Sequence, residues 1–149
     1  MISINSANFG FLKADSPQLV RLGALAEHYF QDDPNTCLIK LRQFGELLAQ
    51  TTAANAGLLA SPEEPQADLL RRLKFERILP GETGDLFHQL RIAGNRATHH
   101  QGGTHAEALA SLKIARQLWR NKSISPSGLK KPSLGSNAWE KSLPAQWSS

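Results

Sequence analysis

The sequence predicts an all-α protein, and three observations support this fold class. Leu, Ala, Gln, Glu and Arg, which are good helix formers, are abundant in the first 120 residues. Apolar residues recur there at three- and four-residue intervals, and helix-start residues precede them. No segment alternates β-branched and polar residues as a half-buried strand would. We therefore expect about five helices, joined by short loops, in a helical domain over residues 15–120.

The first two helices are predicted by start signals that contain proline. Asp15-Ser16-Pro17 can begin a helix over about 17–30, because proline in a first turn sacrifices no hydrogen bond. Asp33-Pro34 repeats this signal before an apolar stripe that extends for about 22 residues, to a C-cap at Gly57. This second helix is expected to be the spine of the fold, with Cys37 as a small core residue.

Three further helices are predicted before residue 120. Ser61-Pro62-Glu63-Glu64 predicts a capped start for the third, and Pro80 predicts the start of the fourth. Thr104-His105-Ala106-Glu107 is a capping box, so the fifth helix should begin there and end near Trp119. Gly94 lies inside the fourth helix, where glycine costs about 0.5–1 kcal/mol relative to alanine. It therefore predicts close packing against the second helix.

Residues 121–149 differ from the rest of the chain in composition. They include eight serines and three prolines without helical or strand periodicity, so we expect a disordered Ser/Pro/Lys-rich tail. Four lysines and one glutamate give this tail +3 of the formal net charge of +4. Residues 1–120 are therefore nearly neutral, and the overall basic charge does not indicate a nucleic-acid-binding body. Residues 1–14 are expected to be an N-terminal extension.

Composition and motifs exclude several classes of protein. The single cysteine cannot form an internal disulfide, and no apolar run reaches the roughly 20 residues needed to cross a bilayer, so a cytoplasmic protein without membrane association is expected. No nucleotide-binding or nuclease motif is present. The spacing of His99, His100 and His105 does not match a known metal site, and no acid or cysteine accompanies them. We expect neither a metal nor a cofactor.

Polar residues of the predicted fourth helix are the best candidates for chemistry. Arg91, Asn95 and His99 are four residues apart and share one face, with His88 close to the same line. This face should point away from the core of the domain. A guanidinium can hold a phosphate, an amide can orient it and an imidazole can move a proton. A solvated helix surface, or a polar face buried against another chain, would show the same pattern, so these interpretations stay open.

Five segments of the sequence together indicate a family resemblance: Asn8–Leu12, Pro17–Glu27, Asp33–Glu46, Asp68–Leu73 and Leu90–His99. They resemble the N-terminal region of the restriction (R) subunits of bacterial type I restriction-modification enzymes. That region resembles the DUF4145 family, a helical domain related to the HEPN superfamily, whose hallmark is a short Arg/Asn and His motif on a late helix. The resemblance implies a HEPN-like bundle and a place in DNA restriction and phage defence.

The resemblance also directs attention to particular residues. It implies that Arg91, Asn95, Arg96 and His99 contact nucleic acid or a partner chain. HEPN ribonucleases resemble one another in an Arg-x4–6-His motif, whereas seven residues separate Arg91 from His99 and three separate Arg96 from His100. Neither pair fits that motif.

Two functional hypotheses follow, and a remnant with no selected activity, suggested by the unexpected tail, is a third. The first is a non-catalytic accessory module that contacts other restriction-modification subunits, DNA or RNA. The alternative is a HEPN-type, metal-independent ribonuclease or toxin-like homodimer that uses Arg91 and His99. In larger R subunits this domain precedes a nuclease and a helicase motor, so we expect that the chain comes from a truncated reading frame.

Overall fold

The computed structural model describes residues 18–58, 61, 63–100 and 102–120. These residues form a helical bundle, and no β-strand occurs among them, which confirms the all-α prediction. Residues 18–29 belong to helix α1. The other helices are α2 (Pro34–Asn55), α3 (Gln66–Phe75), α4 (Gly81–Thr98) and α5 (His105–Arg120). The predicted N-terminal extension and the predicted tail lie outside the described residues.

Helix α2 is the spine of the bundle, as predicted, and packs against α3, α4 and α5. It begins at the predicted cap, where Asp33 Oδ1 accepts a hydrogen bond from the Thr36 amide at 3.1 Å. The Thr36 hydroxyl also donates to this carboxylate, and the two bonds lower the pKa of Asp33. At the other end Gly57 adopts φ +76°, so the Leu58 amide can donate to the Ala53 carbonyl at 2.8 Å.

The core forms around the apolar face of α2, which packs against every later helix. The Phe44 ring of α2 meets the Trp119 ring of α5 with centroids 6.1 Å apart. Burial of each large aliphatic or aromatic side chain contributes about 1.5–3 kcal/mol to folding. The largest fully buried side chains are Trp119, Phe44, Phe87, Leu19, Leu38, Leu41, Leu48, Leu69, Leu70, Leu73 and Leu90.

The start of α3 differs from the sequence prediction. Ser61 does not cap this helix; its hydroxyl accepts from the Glu63 amide at 3.1 Å in a preceding turn. Pro65 has an extended ψ of 142°, which separates that turn from the helix beginning at Gln66. Glu64 instead receives two hydrogen bonds from Arg72, at 3.0 and 2.8 Å. The predicted cap was wrong because Ser61 belongs to a turn that the extended Pro65 separates from the helix.

The connection between α4 and α5 contains the predicted capping box. The Glu107 amide donates to Thr104 Oγ1 at 3.1 Å, and Glu107 Oε1 accepts from the Gly103 amide at 2.7 Å. Gly103 has φ +78°, and a Cβ there would collide with the Asn35 side chain of α2. Asn35 also donates to the Ala97 carbonyl at 3.1 Å, which joins the start of α2 to the end of α4.

Candidate binding face on helix α4

The position of α4 depends on its close crossing with α2. At the crossing a Cβ placed on Gly94 would lie 2.4 Å from Arg42 Cβ, and one placed on Gly45 would lie 3.3 Å from Leu90 Cδ1. Gly94 therefore allows the two backbones to approach each other. This contact confirms the packing predicted from an internal glycine, and it decides which α4 side chains face α2.

Asn95 faces α2 because it follows Gly94 at the crossing. Its side chain is half-buried, and its Oδ1 accepts a hydrogen bond from Arg42 Nη1 at 3.0 Å. Arg42 in turn lies next to Glu46, with Nε and Oε2 3.6 Å apart. The expectation that Asn95 points away from the domain's own core was wrong, since the crossing turns this residue towards a neighbouring helix.

Arg91 lies one turn before Asn95 and is also half-buried. Its Nη2 is 3.5 Å from Nδ1 of His88, and its Nε is buried without a hydrogen-bond partner among the described residues. No carboxylate of those residues lies within ion-pair distance of it, unlike Arg42 and Arg96. A buried N–H without an acceptor is rare in folded proteins, so this guanidinium has hydrogen-bonding capacity that the described residues leave unused.

His88 modifies the electrostatics beside Arg91. Burial of the imidazole lowers its pKa below the ordinary value of 6.5, and the positive charges of Arg91 and Lys74 lower it further. The ring is therefore neutral at pH 7. In the tautomer protonated on Nε2, Nδ1 can accept a hydrogen bond from Arg91 and help to hold it in place.

Arg96 and His99 lie elsewhere on α4. Arg96 Nη1 forms an ion pair with Glu107 Oε2 of α5 at 2.9 Å. His99 is the exposed C-cap residue, with its side chain in no hydrogen bond or ion pair to another described residue. Arg91 and His99 are two turns apart, about 12 Å along the axis at 1.5 Å per residue. The predicted site residues thus divide into Asn95, which faces α2, Arg91, which lies beside His88 one turn earlier, and two exposed positions further along α4.

Arg42 is the residue that sequence analysis missed. It lies on α2, 53 positions before Asn95, and no spacing rule connects the two. Its own neighbourhood in the sequence predicts only an ordinary helix surface with a Glu46 partner one turn away. The contact became visible only through the crossing at Gly94.

A shallow groove of about 260 Å³ runs between α4 and α5. Ile92, 47% exposed, and Ile114 contribute apolar surface, while the Arg96 and Glu107 pair lies at its edge. Within the part of the chain that the structure describes, no three His, Cys, Asp or Glu side chains are grouped closely enough to hold a metal ion. None of the described helices is both long enough and apolar enough to span a membrane.

With this geometry in place, comparison with known proteins identifies the family. Residues 25–124 match the family described as "Domain of unknown function (DUF4145)", which covers α2 to α5 and part of α1. The chain belongs to this family, as the sequence segments predicted.

The chain is also similar to a subunit of a known restriction enzyme. The chain is 38% identical over 117 residues to the type I restriction enzyme EcoKI endonuclease subunit of Escherichia coli strain K12. The match covers 77% of this chain but 10% of that subunit, so the chain spans a small part of the relative's length. No solved structure matches the chain.

Proposed function

We propose that this protein is a non-catalytic helical module of a type I restriction-modification system. It contacts another subunit or nucleic acid through the α4 face, which we define as Arg91, Asn95, Arg96 and His99. The observation that carries this proposal is the 38% identity to a type I restriction endonuclease subunit, together with the match to DUF4145.

The geometry of α4 favours contact over catalysis. Arg96 is paired with Glu107 and cannot hold a reacting group without losing that partner, and the Asn95 Oδ1 atom is already occupied by Arg42. Arg91 and His99 of one chain lie two turns apart on α4, about 12 Å along the helix axis, whereas general acid–base catalysis needs both groups within hydrogen-bond reach of the substrate. Arg96 and His99 are exposed and Arg91 is half-buried, and basic side chains in such positions are well suited to hold a partner.

The experiment uses the full chain with the specificity and modification subunits of the restriction system and their DNA. Size-exclusion chromatography should show co-elution with the subunits, or an electrophoretic shift of DNA at low salt, where charge-dependent binding is strongest. An Arg91→Gln, His99→Ala double variant should reduce that association, whereas Lys113→Gln on α5 should preserve it. If the wild-type chain neither co-elutes nor shifts DNA at low salt, the proposal is wrong.

A further inference from the structure

Two half-buried arginines from different helices, Arg91 of α4 and Arg42 of α2, lie near the same part of α4. Arg91 extends from α4 itself, and Arg42 reaches from α2 to Asn95, one turn further along. The Nε atoms of both arginines are buried without a hydrogen-bond partner among the described residues. Arg42 and Arg91 are the only charged side chains of those residues with such an atom.

The charges around these arginines do not balance. Glu46 lies 3.6 Å from Arg42, too far for a hydrogen bond but close enough to offset one positive charge. Arg91 has no acidic partner among the described residues, and the neighbouring His88 is neutral at pH 7. One positive charge is therefore left over in a partly desolvated position, where an unpaired charge is costly and an anion would be strongly stabilised.

We propose that Arg91 and Arg42, with Asn95 between them, form a binding site for a phosphate group. Each guanidinium offers N–H donors in a planar fork, which matches the oxygens of a phosphate. Asn95 accepts from Arg42 through Oδ1, which leaves its Nδ2 donor available for the same anion. This site names a ligand for part of the α4 face and so rests on the proposed function.

His88 reports on occupancy of the site. The charged groups that act on its ring are Arg91, Lys74 and Arg71, which disfavour protonation, and Asp85, which favours it. A phosphate bound at Arg91 adds negative charge beside this ring and stabilises its protonated form. Occupancy should therefore raise the pKa of His88, whereas binding elsewhere on the surface should leave it unchanged.

The test follows the arginine Nε–Hε signals of the full chain by 15N NMR during titration with inorganic phosphate. A single-stranded oligonucleotide is then titrated to distinguish a nucleic-acid backbone from the free ion. The Arg91 and Arg42 signals should move, and those of Arg21, an exposed arginine of α1, should not. Movement of the Arg91 and Arg42 signals with phosphate supports the site. Movement with the oligonucleotide alone also supports it, with a nucleic-acid backbone as the source of the phosphate group. Equal movement of Arg21, or no movement with either ligand, overturns it.

Substitutions provide a second measurement. Arg91→Gln should weaken phosphate binding roughly tenfold or more, and Arg91→Lys should weaken it less, since lysine keeps the charge without the fork. Arg21→Gln removes the same charge on α1 and should have no effect. If Arg42→Gln fails to fold, the Arg91 variants and the wild-type spectra still show whether phosphate binds at this site. Unchanged affinity in Arg91→Gln overturns the site.

The two proposals fail in different ways. Loss of the phosphate response with retained co-elution removes only the anion site. A phosphate response without association with any restriction subunit or DNA removes only the proposed function.

Discussion

Gly94 of α4 lies directly against the side chain of Arg42 on α2, with room for a hydrogen atom but not for a methyl group. This contact sets the distance between the two helices and brings Asn95 within hydrogen-bond reach of Arg42. The packing of the bundle and the composition of the candidate face therefore depend on the same glycine.

Gly94→Ala should destabilise the protein. The added Cβ would lie 2.4 Å from Arg42 Cβ, so the helices must separate. Overpacking typically costs about 1–3 kcal/mol, and the gain in helix propensity returns about 0.5–1 kcal/mol. Urea denaturation should show a net loss of about 1–2 kcal/mol. Gly81→Ala is the matched control, because nothing lies within 4 Å of a Cβ there. Equal stability of the two variants would contradict this account of the crossing.

Glu64 should make the protein sensitive to acid. Its two hydrogen bonds from Arg72 lower the pKa of this carboxyl below its ordinary value of 4.5. The stabilisation is present above pH 4.5 and is lost as the pH falls through the lowered pKa, because the unfolded chain then binds the proton more readily. Thermal melts between pH 6 and pH 3 should show a smaller decline in Glu64→Gln than in the wild type. Equal declines in both proteins would mean that the Glu64–Arg72 pair does not contribute to the acid sensitivity.

Arg91→Gln should raise the pKa of His88. Burial is the largest cause of the lowered His88 pKa, and the positive charge of Arg91 is the second largest. In the wild type this shift makes stability rise as the pH increases from the lowered pKa towards 6.5, since the unfolded chain holds the proton over that interval. Histidine NMR titration of both proteins measures the change. The His88 pKa should stay unaltered in Arg21→Gln, and an unaltered value in Arg91→Gln would contradict the observed proximity.

Cys37 should not react with thiol reagents in the native protein. Burial raises the pKa of this thiol to about 12, with a further contribution from the negative charges of Asp33 and Glu27. The reactive thiolate is therefore scarce at pH 8, and the side chain is fully enclosed. Alkylation followed by mass spectrometry should show no modification until denaturant is added. Rapid native labelling would show that α2 opens locally.

RNA should remain intact in the presence of the purified protein. Arg91 and His99 lie about 12 Å apart along the axis of α4, which is a wide separation for two groups that must act on one phosphodiester. Incubation with labelled single-stranded RNA in the presence of a chelator checks this expectation. Cleavage that disappears in His99→Ala, but persists in His100→Ala, would instead support the dimeric ribonuclease alternative.

Local signals in the sequence were sufficient to predict most of the secondary structure. Asp33-Pro34 began α2 at the expected residue, and Thr104 with Glu107 formed the expected capping box. These signals depend on atoms within one helical turn, so they can be recognised without knowledge of the fold. The predicted start of α3 was wrong because Ser61 bonds to Glu63 in a separate turn instead of capping the helix, and Glu64 pairs with Arg72 eight residues away.

The candidate site was only partly predictable. The four-residue spacing placed Arg91, Asn95 and His99 along one line, but spacing alone does not determine how a helix is rotated against its neighbours. Arg42 and Glu107 come from other helices and take Asn95 and Arg96 as partners. A contact of this kind follows from packing between distant segments.

The sequence by itself determined an all-α chain, its helix caps, a glycine that requires close packing, and membership of the DUF4145 family. Only the tertiary structure decided that the Arg91 guanidinium has no carboxylate partner among the described residues, whereas Arg96 is paired with Glu107. The physical reason is that capping and amphipathic patterns act over a few residues, whereas desolvation and ion pairing depend on which helices meet. The crossing of α2 and α4 at Gly94 brings Asn95 into its hydrogen bond with Arg42 and leaves both side chains half-buried.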